Sequence, residues 1–355
     1  MVLPFNIFGI GEKPKGYLGV DIGTLSLKIV ELSNENGRPK LENYAILSNY
    51  NLIENKAPKV FGGEAALMLR RILKEAGILA REINISAPIF SSFLTVMELP
   101  PMPESEIASA IQFEAKKYIP VPLDSVLVDW SILGSMPDLP AQAGKISILL
   151  IAIPKDLLNE YAVIAKEADL KIGNLEVETI SAARALIGND PVPAMLVDMG
   201  SRDTTISVVD GGHPIISHSI ETSGEDLTRA LSGSLNINWR RAEELKKEQG
   251  LKIMDSNTQI SGVLTPLLNI ITSAAQNILD LYSSKAGKKI EKLIIYGGAA
   301  KMPGFAEYLN KALNLDVIIG NPFSKIIYDE KLTPVMKDIG HEFTTAAALA
   351  LKSLW

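Results

Sequence analysis

The chain has 355 residues, 47% hydrophobic and 21% charged, enough to bury the cores of two domains or of one domain split into lobes; this excludes intrinsic disorder. A net charge of −6 excludes a dedicated nucleic-acid binder, which carries a basic face. Cysteine is absent, so disulfides, thiolate metal sites and a cysteine nucleophile are excluded, and His213, His218 and His341 lie too far apart in sequence for a histidine metal centre.

The opening MVLPFNIFGIGEKPKGYLGVD lacks a basic n-region and a small-residue cleavage site, so it reads as carrying no secretory signal. Its apolar residues read as a packed or frayed terminus rather than a lipid anchor. No run of about 18 apolar residues occurs, and no membrane-spanning helix is expected. The apolar run Tyr17–Val20 then leads into DIGTLSLKIVELSNENGRPKLENYAIL, a strand, a glycine turn and an antiparallel hairpin. Gly63–Ala76 is amphipathic and predicted helical, and INISAPIF follows as a strand.

An extra module of about residues 90–170 comes next. Pro103 suits a helix start, and Glu104 and Glu106 suit its first turn. Ile107, Ile111, Ala115 and Tyr118 fall at helical spacing, and Pro120 stops the run. A flexible segment, GSMPDLPAQAGK, precedes the buried-looking strand ISILLIAIP and the helix KDLLNEYAVIAKEA. Strand, helix, two strands and helix make a small α/β subdomain.

The second half repeats the plan of the first. Ala194–Val197 leads into DMGSRDTTISVVDGGHPIISHSI, where Asp198, Gly200, Ser201 and Ile206 match Asp21, Gly23, Thr24 and Ile29 at identical spacing. Both copies reach a turn with Gly and Pro, Gly37-Arg38-Pro39 and Gly212-His213-Pro214. Asp226–Leu235, Trp239–Gln249 and Leu264–Lys285 read as helices, KLIIYGGAAKMPGFAEYLNKALN as strand, glycine loop and helix, and GHEFTTAAALALKSLW as a final helix. The alternation implies an α/β fold of two lobes, each a mixed β-sheet flanked by helices.

A D-x-G-[ST] turn after an apolar strand suits phosphate binding. Glycine lets backbone amides approach closely and the hydroxyl adds a donor. The aspartate would repel phosphate, so its natural partner is Mg²⁺, through water. One such turn is an ordinary turn motif; two that lead matched hairpins suggest loops clasping one polyphosphate. Gly297 and Gly298 would let a flat base or ribose lie against backbone, or form a plain strand–helix turn. Glu243 and Lys246 share a helix face, and two readings stay open: ligands for ribose and adenine, or a solvated charged face. Neither G-x-x-x-x-G-K-[ST] nor G-x-G-x-x-G occurs.

Paired D-x-G-[ST] loops, a distal GG loop and an E-x-x-K helix resemble the actin/sugar-kinase/chaperone ATPase superfamily. Within it, ELPPMPESEIASAIQFEAKKYIPVPLDSVLVDW and the closing YGGAAKMPGFAEYLNKALNLDV resemble the PilM family of type IV pilus assembly, over essentially the whole chain. FtsA, the divisome relative, shares the placement of the insertion. The resemblance implies an actin-like ATPase fold with an FtsA-type inserted subdomain. Its first lobe would span residues 1–185, containing the insertion, and its second 186–355, with a C-terminal helix of about 341–355 returning to the first.

The resemblance also implies roles. Asp21, Gly23 and Thr24 would form the first phosphate loop, and Asp198, Gly200 and Ser201 the second. Asp21 and Asp198 would hold Mg²⁺ through water. Gly297 and Gly298 would meet adenosine, and Glu243 and Lys246 its ribose and base. Glu178, in LEVETISAARAL, falls near the residue that orients attacking water in active relatives. The final helix carries Ala where relatives carry Gly, which implies a stiffer hinge.

The function implied is a scaffold that binds ATP with weak or no hydrolysis and captures the cytoplasmic N-terminal peptide of PilN. Capture would occur between first lobe and insertion, by strand-like pairing. The protein would be cytoplasmic, recruited by this partner to the inner face of the membrane beside the pilus platform and motor, with self-association open. Two alternatives stand: a small-molecule kinase of the same superfamily, for which no carboxylate base stands out, and an FtsA-like filament former, for which the end AAALALKSLW offers no basic amphipathic tail.

Overall fold

A computed structural model describes residues 16–48, 63–133, 145–252 and 258–354. The apolar N-terminal segment, GSMPDLPAQAGK except Lys145, and Trp355 lie outside the described residues. In chain order the strands are β1 (Tyr17–Ile22), β2 (Ser26–Glu35), β3 (Arg38–Ser48), β4 (Glu82–Ala87), β5 (Phe93–Leu99), β6 (Val126–Leu133), β7 (Ile146–Pro154) and β8 (Lys171–Val177). They continue with β9 (Ala194–Met199), β10 (Thr204–Asp210), β11 (His213–Ile220), β12 (Lys292–Tyr296) and β13 (Asp316–Ile319). Two compact units result: Met1–Pro88 with Asp156–Ala185 and Asn321–Trp355, and Ile89–Lys155 with Leu186–Gly320.

The duplication read from the sequence is a duplication of topology. The first unit holds a sheet of order β3-β2-β1-β4-β8 and the second a sheet of order β11-β10-β9-β12-β13. In each, the first three strands are antiparallel and the last two run parallel to the third. Both hairpins close with two residues of positive φ, Asn36-Gly37 and Gly211-Gly212, the backbone that matches the right-handed strand twist. The matched Ile29 and Ile206 are both fully buried, and the repeat therefore records a shared core position as well as a loop.

In the first unit the C-terminal helix Thr344–Lys352 is buried on every side, which its alanines and leucines allow. It lies against β1 and β2 beside Phe323 and Phe343, whose rings meet edge to face at 6.4 Å. Close approach comes from Gly19 on β1: a Cβ there would overlap the Ala346 carbonyl oxygen and lie 2.5 Å from the Ala350 nitrogen. The glycine of this strand–helix contact stands on the strand, which leaves the helix free to carry alanine. Asn84 on β4 fixes the same helix, donating to the Leu349 carbonyl at 2.8 Å and to Ser353 Oγ at 2.9 Å while accepting from Asn174 at 2.9 Å.

A buried charge cluster ties β8 to that helix. Glu176 accepts from Ser181 Oγ (2.7 Å), from both Arg184 terminal nitrogens and from Lys352 Nζ (2.8 Å), and Arg184 reaches the Ala348 carbonyl at 3.3 Å. Burial opposes the Glu176 charge, but Arg184 and Lys352 overcome it and hold the carboxyl at about 2 against an ordinary 4.5. A depressed carboxyl stabilises fully above its unfolded value and loses that contribution as pH falls through the folded one. The contribution is about 3 kcal/mol, with about 2 kcal/mol gone by pH ~3. Urea unfolding from pH ~6 to ~3 should therefore show a steeper stability loss for the wild-type chain than for Glu176→Gln. Parallel pH profiles would refute this.

The second unit contains a further antiparallel sheet of order β5-β7-β6, with the helix Glu104–Glu114 on one face. That helix tightens to a 3-10 turn at Ala115–Lys117, so its buried stripe is Ile107, Ile111, Ala115 and Ile119, and Tyr118, which shares the helical spacing in the sequence, is 42% exposed. β5 and the turn Ile89–Ser91 pack on β11. The helix Lys155–Glu167 that follows β7 buries Leu157, Tyr161, Ile164 and Ala165 and belongs, from Asp156 on, to the first unit.

The long helix starts earlier than expected, at Thr258, and runs to Ala286 with Pro266 inside it. By length and apolar composition its residues Gln259–Ala286 would suffice to cross a membrane. Its packing is that of a core helix: Ile260, Leu264, Leu268, Ile271, Ala275, Ile278 and Tyr282 form a buried stripe at three- and four-residue spacing. Tyr282 also donates to the buried Asp210 at the end of β10 (2.8 Å).

Candidate functional site

In the first unit β1 ends in Asp21-Ile22, and Gly23 closes the turn to β2 by donating to the Ser26 carbonyl at 3.0 Å, with Thr24 inside the turn. Asp21 sits opposite Lys28 across the β1/β2 ladder, and Lys28 Nζ lies 3.3 Å from its Oδ2, the two side chains 12% and 16% exposed. Glu178 opens the helix Glu178–Leu186, where its charge suits the helix N-terminus. The Tyr161 hydroxyl belongs to the same cluster: burial first, then the charges of Glu178 and Asp21, push its pKa far above the ordinary tyrosine value. Asp21, Glu178, Lys28 and Tyr161 thus share one electrostatic neighbourhood at the C-terminal ends of β1 and β8.

The second unit repeats the turn and adds to it. Asp198 faces Thr205 on β10, the register position that Lys28 holds against Asp21. A Cβ on Gly200 would meet the Asp203 carbonyl at 2.7 Å, as one on Gly23 would meet that of Ser26 at 2.9 Å. Burial raises the Asp203 pKa, although hydroxyls of Ser219 and Thr205 donate to it. Neighbouring Arg202 lies over the Phe90 ring, 4.8 Å from its centroid, a cation–π contact.

The carbonyls of Gly200 and Ser201 accept from the Gly224 and Glu225 N–H groups at 2.9 and 3.1 Å, the first turn of the helix Gly224–Leu235. That helix is started by a capping box of Ser223 and Asp226. Gly297 follows β12, parallel to β9 with Tyr296 level with Asp198. Its φ is +89°, and a Cβ there would overlap Asp198 Oδ1 and sit 2.8 Å from the Met199 carbonyl oxygen. Only glycine fits between strand end and carboxylate. At Gly298 a Cβ would meet nothing within 4 Å, so this backbone faces open space.

Glu243 and Lys246 are not a solvated face. They form a buried ion pair of 2.7 Å, Lys246 5% and Glu243 19% exposed. Lys246 also donates to the Gly224 carbonyl and to Thr228 Oγ1, each at 2.8 Å, and Thr228 Oγ1 lies 2.5 Å from Glu243 Oε2. Burial works against both charges. It lowers the Lys246 ammonium, while Lys246 and Thr228 outweigh it at Glu243 and keep that carboxyl below its ordinary value. Gly224 links the parts: a Cβ on it would lie 3.1 Å from the Gly200 carbonyl, 3.4 Å from Ala299 Cβ and 3.7 Å from Lys246 Nζ.

The second unit therefore brings together Asp198, Gly200, Ser201, Glu243, Lys246, Gly297 and Gly298. The first sets Asp21, Gly23 and Thr24 on one turn, with Glu178 at the C-terminal end of β8, two strands away in the same sheet. Sequence reasoning missed Lys28, Tyr161, Gly224 and Thr228. A signal existed for Lys28, seven residues after Asp21 on the next strand, but Thr205 occupies that place in the second copy, so the repeat does not mark it. No sequence signal marks Thr228, which meets Lys246 only where the helices Gly224–Leu235 and Trp239–Glu248 pack.

Comparison with known proteins supplies the family. A solved structure titled PilM-PilN type IV pilus biogenesis complex superposes with a TM-score of 0.81 at 24% identity, over 95% of this chain and 98% of that one. MreB5 of Spiroplasma citri bound to AMPPNP shares the fold at a TM-score of 0.52 and 14% identity, over 95% of each chain. The fold is thus actin-like. Among curated proteins, FtsA of Bacillus subtilis (strain 168) is 24% identical over 194 residues, 49% of this chain and 44% of its own length. FtsA of Enterococcus faecalis is 22% identical over 223 residues, 53% of this chain and 50% of its own. The chain spans about half the length of these curated relatives. The model of the family described as type IV pilus assembly protein PilM matches residues 19–354, nearly the whole sequence, and the chain belongs to that family.

Proposed function

We propose that the protein binds Mg·ATP through its two D-x-G-[ST] loops and serves pilus assembly by capturing the cytoplasmic N-terminal segment of a PilN-type membrane protein. The observation that carries the nucleotide reading is the convergence in the second unit of the Gly200 loop, the Gly297-Gly298 loop and the Glu243–Lys246 pair around Gly224. The open space above Gly298 suits adenosine, and the loop amides at Gly200 and Ser201 suit phosphate. Asp21 and Asp198 would hold Mg²⁺ through water, the ion neutralising phosphate charge. Lys28 would add a cation at the first loop. Glu178 would stand beside attacking water if the nucleotide is hydrolysed.

Membership of the family supports the pilus role, and the PilM-PilN complex supports the choice of partner. Recruitment to the inner face of the membrane through that partner is part of the proposal, as is a lobe boundary near residue 185. The cut between Ala185 and Leu186 supports the boundary.

Calorimetric titration with Mg·ATP tests the first half. Asp198→Ala should weaken binding at least about tenfold, a loss of about 1.4 kcal/mol. The same cell then receives the synthetic N-terminal peptide of PilN encoded in the same genome, and saturable binding is expected. ATP binding without peptide binding would withdraw the pilus-partner reading and direct attention to phosphoryl transfer onto small acceptors.

A further inference from the structure

At the pole of the first unit opposite the loops lies a groove that the nucleotide reading does not use. Asp21 and Glu178 sit at the C-terminal ends of the parallel strands β1 and β8, whereas Arg81 precedes β4 and Lys171 begins β8. Between these strand starts and the end of the helix Lys155–Glu167 is an open cleft of about 550 Å³, within the ~300–1,000 Å³ of ligand clefts. Its apolar floor includes Ala165, Leu170 and Ile172, and its rim carries Arg81, Lys166 and Lys171.

The sign of the groove is set by these cations. Carbonyls at a helix end favour positive charge, but here the two that matter are taken: Leu170 N–H donates to Ala165 O at 2.8 Å and Asp169 N–H to Lys166 O at 3.2 Å, with Asp169 at φ +57°. Three cations stand against two acids, Asp169 in the lining and Glu82, which faces Lys171 across the strands and pairs with it at 3.3 Å, so the rim is net positive through Arg81 and Lys166. Arg81 is held in place by its own Nη1, which donates to the Ile78 and Ala80 carbonyls at 3.3 and 3.0 Å. An anchored guanidinium loses little freedom on binding a carboxylate.

Apolar side chains close in sequence to these cations are exposed to water. Leu79, two residues before Arg81, is 82% exposed, and Val163, one helical turn before Lys166, is 50% exposed. A net positive rim on a chain of net charge −6, over an apolar floor and beside exposed aliphatic side chains, matches one occupant. We propose that this groove binds a short acidic segment of a partner protein that also carries aliphatic side chains. The carboxylates would meet Arg81, Lys166 and Lys171, and the aliphatic groups would cover the floor and Leu79.

The test uses the full chain on an array of octapeptides of graded Glu/Asp and Leu/Ile content, with arrays of equal hydrophobicity carrying Lys in place of the acids. Acidic aliphatic peptides should retain the protein at least about tenfold better than their basic counterparts, and retention should fall as NaCl rises from about 0.05 to 0.3 M. Lys166→Glu with Lys171→Glu should abolish the preference, at some cost in thermal stability because it sets a glutamate opposite Glu82, and the milder Lys166→Ala with Lys171→Ala should halve it or more with thermal unfolding nearly unchanged. Asp198→Ala should leave it intact, so failure of this proposal and failure of the nucleotide reading are separate results. Equal retention on both arrays, no retention, or a preference that survives charge reversal would overturn it. So would a groove that, in sedimentation, proves to be a contact between copies of this chain lost on charge reversal.

Discussion

Gly297→Ala is expected to weaken Mg·ATP binding by at least about 100-fold, a loss of about 3 kcal/mol. The added methyl has nowhere to go, because the Asp198 carboxylate and the Met199 carbonyl occupy its place and φ +89° strains any side chain. Relief requires Asp198 to swing away or the loop after β12 to lift, and either disassembles the second half of the proposed nucleotide site. Gly298→Ala is the matched control. Its methyl would enter open space, so the fold should be untouched while a base lying against that backbone is displaced. Calorimetry with thermal melts of both variants separates the outcomes. Wild-type affinity in Gly297→Ala would mean that the Asp198 loop does not bind nucleotide.

Stability rather than binding should suffer in Gly19→Ala. The strand and the C-terminal helix touch backbone to backbone at Gly19, and one methyl must push aside Ala346 and Ala350, which belong to a helix buried on every side. The expected cost is about 3 kcal/mol, at the upper end of overpacking effects, because backbone rather than a flexible side chain must yield. Urea unfolding measures it. Hydrogen exchange should localise the loss to Thr344–Lys352 and to β1, since the Asn84 bond to Leu349 goes with the displaced helix. A change below about 1 kcal/mol would show that the helix shifts freely and that Asn84 and the Glu176 cluster do not hold its position.

What the residues disclosed in advance, and what they hid, follows from the range of the interactions concerned. The D-x-G-[ST] turns were legible because a turn is set by neighbouring residues: glycine, hydroxyl and strand run stand within a few positions, and a second copy doubled the signal. The two hairpins were legible for the same reason, although their turns are Asn36-Gly37 and Gly211-Gly212, one residue before the Gly-x-Pro triplets read as turns, whose prolines lie in β3 and β11. Lys28 was visible in principle but lost its signal in the comparison of copies. Tyr161 was hidden, because the burial and neighbouring charges that single it out come from Glu178 and Asp21, both far from it in sequence. The bland reading of Glu243 and Lys246 as a solvated face failed on burial: periodicity places them on one side of a helix without revealing what that side meets.

The duplicated strand–turn–hairpin plan and the membership of a family are properties of local pattern, and for these the amino-acid string sufficed; the edge strands β8 and β13 and the order of strands within each sheet came from the structure. Its apolar alternation and glycine turns specify each element within a dozen residues. Long-range packing settled the rest. Gly19 reads as an unremarkable strand glycine until a helix more than 300 residues later lies on it. That β5 and the turn Ile89–Ser91 of the insertion meet β11 is likewise invisible in the sequence. The groove of Arg81, Lys166 and Lys171 exists only because parallel pairing of β4 with β8 aligns their starts, bringing Lys171 beside residues ninety positions earlier. Contacts of that span depend on the free energy of the whole core, to which each residue contributes a part that its neighbours in sequence do not reveal.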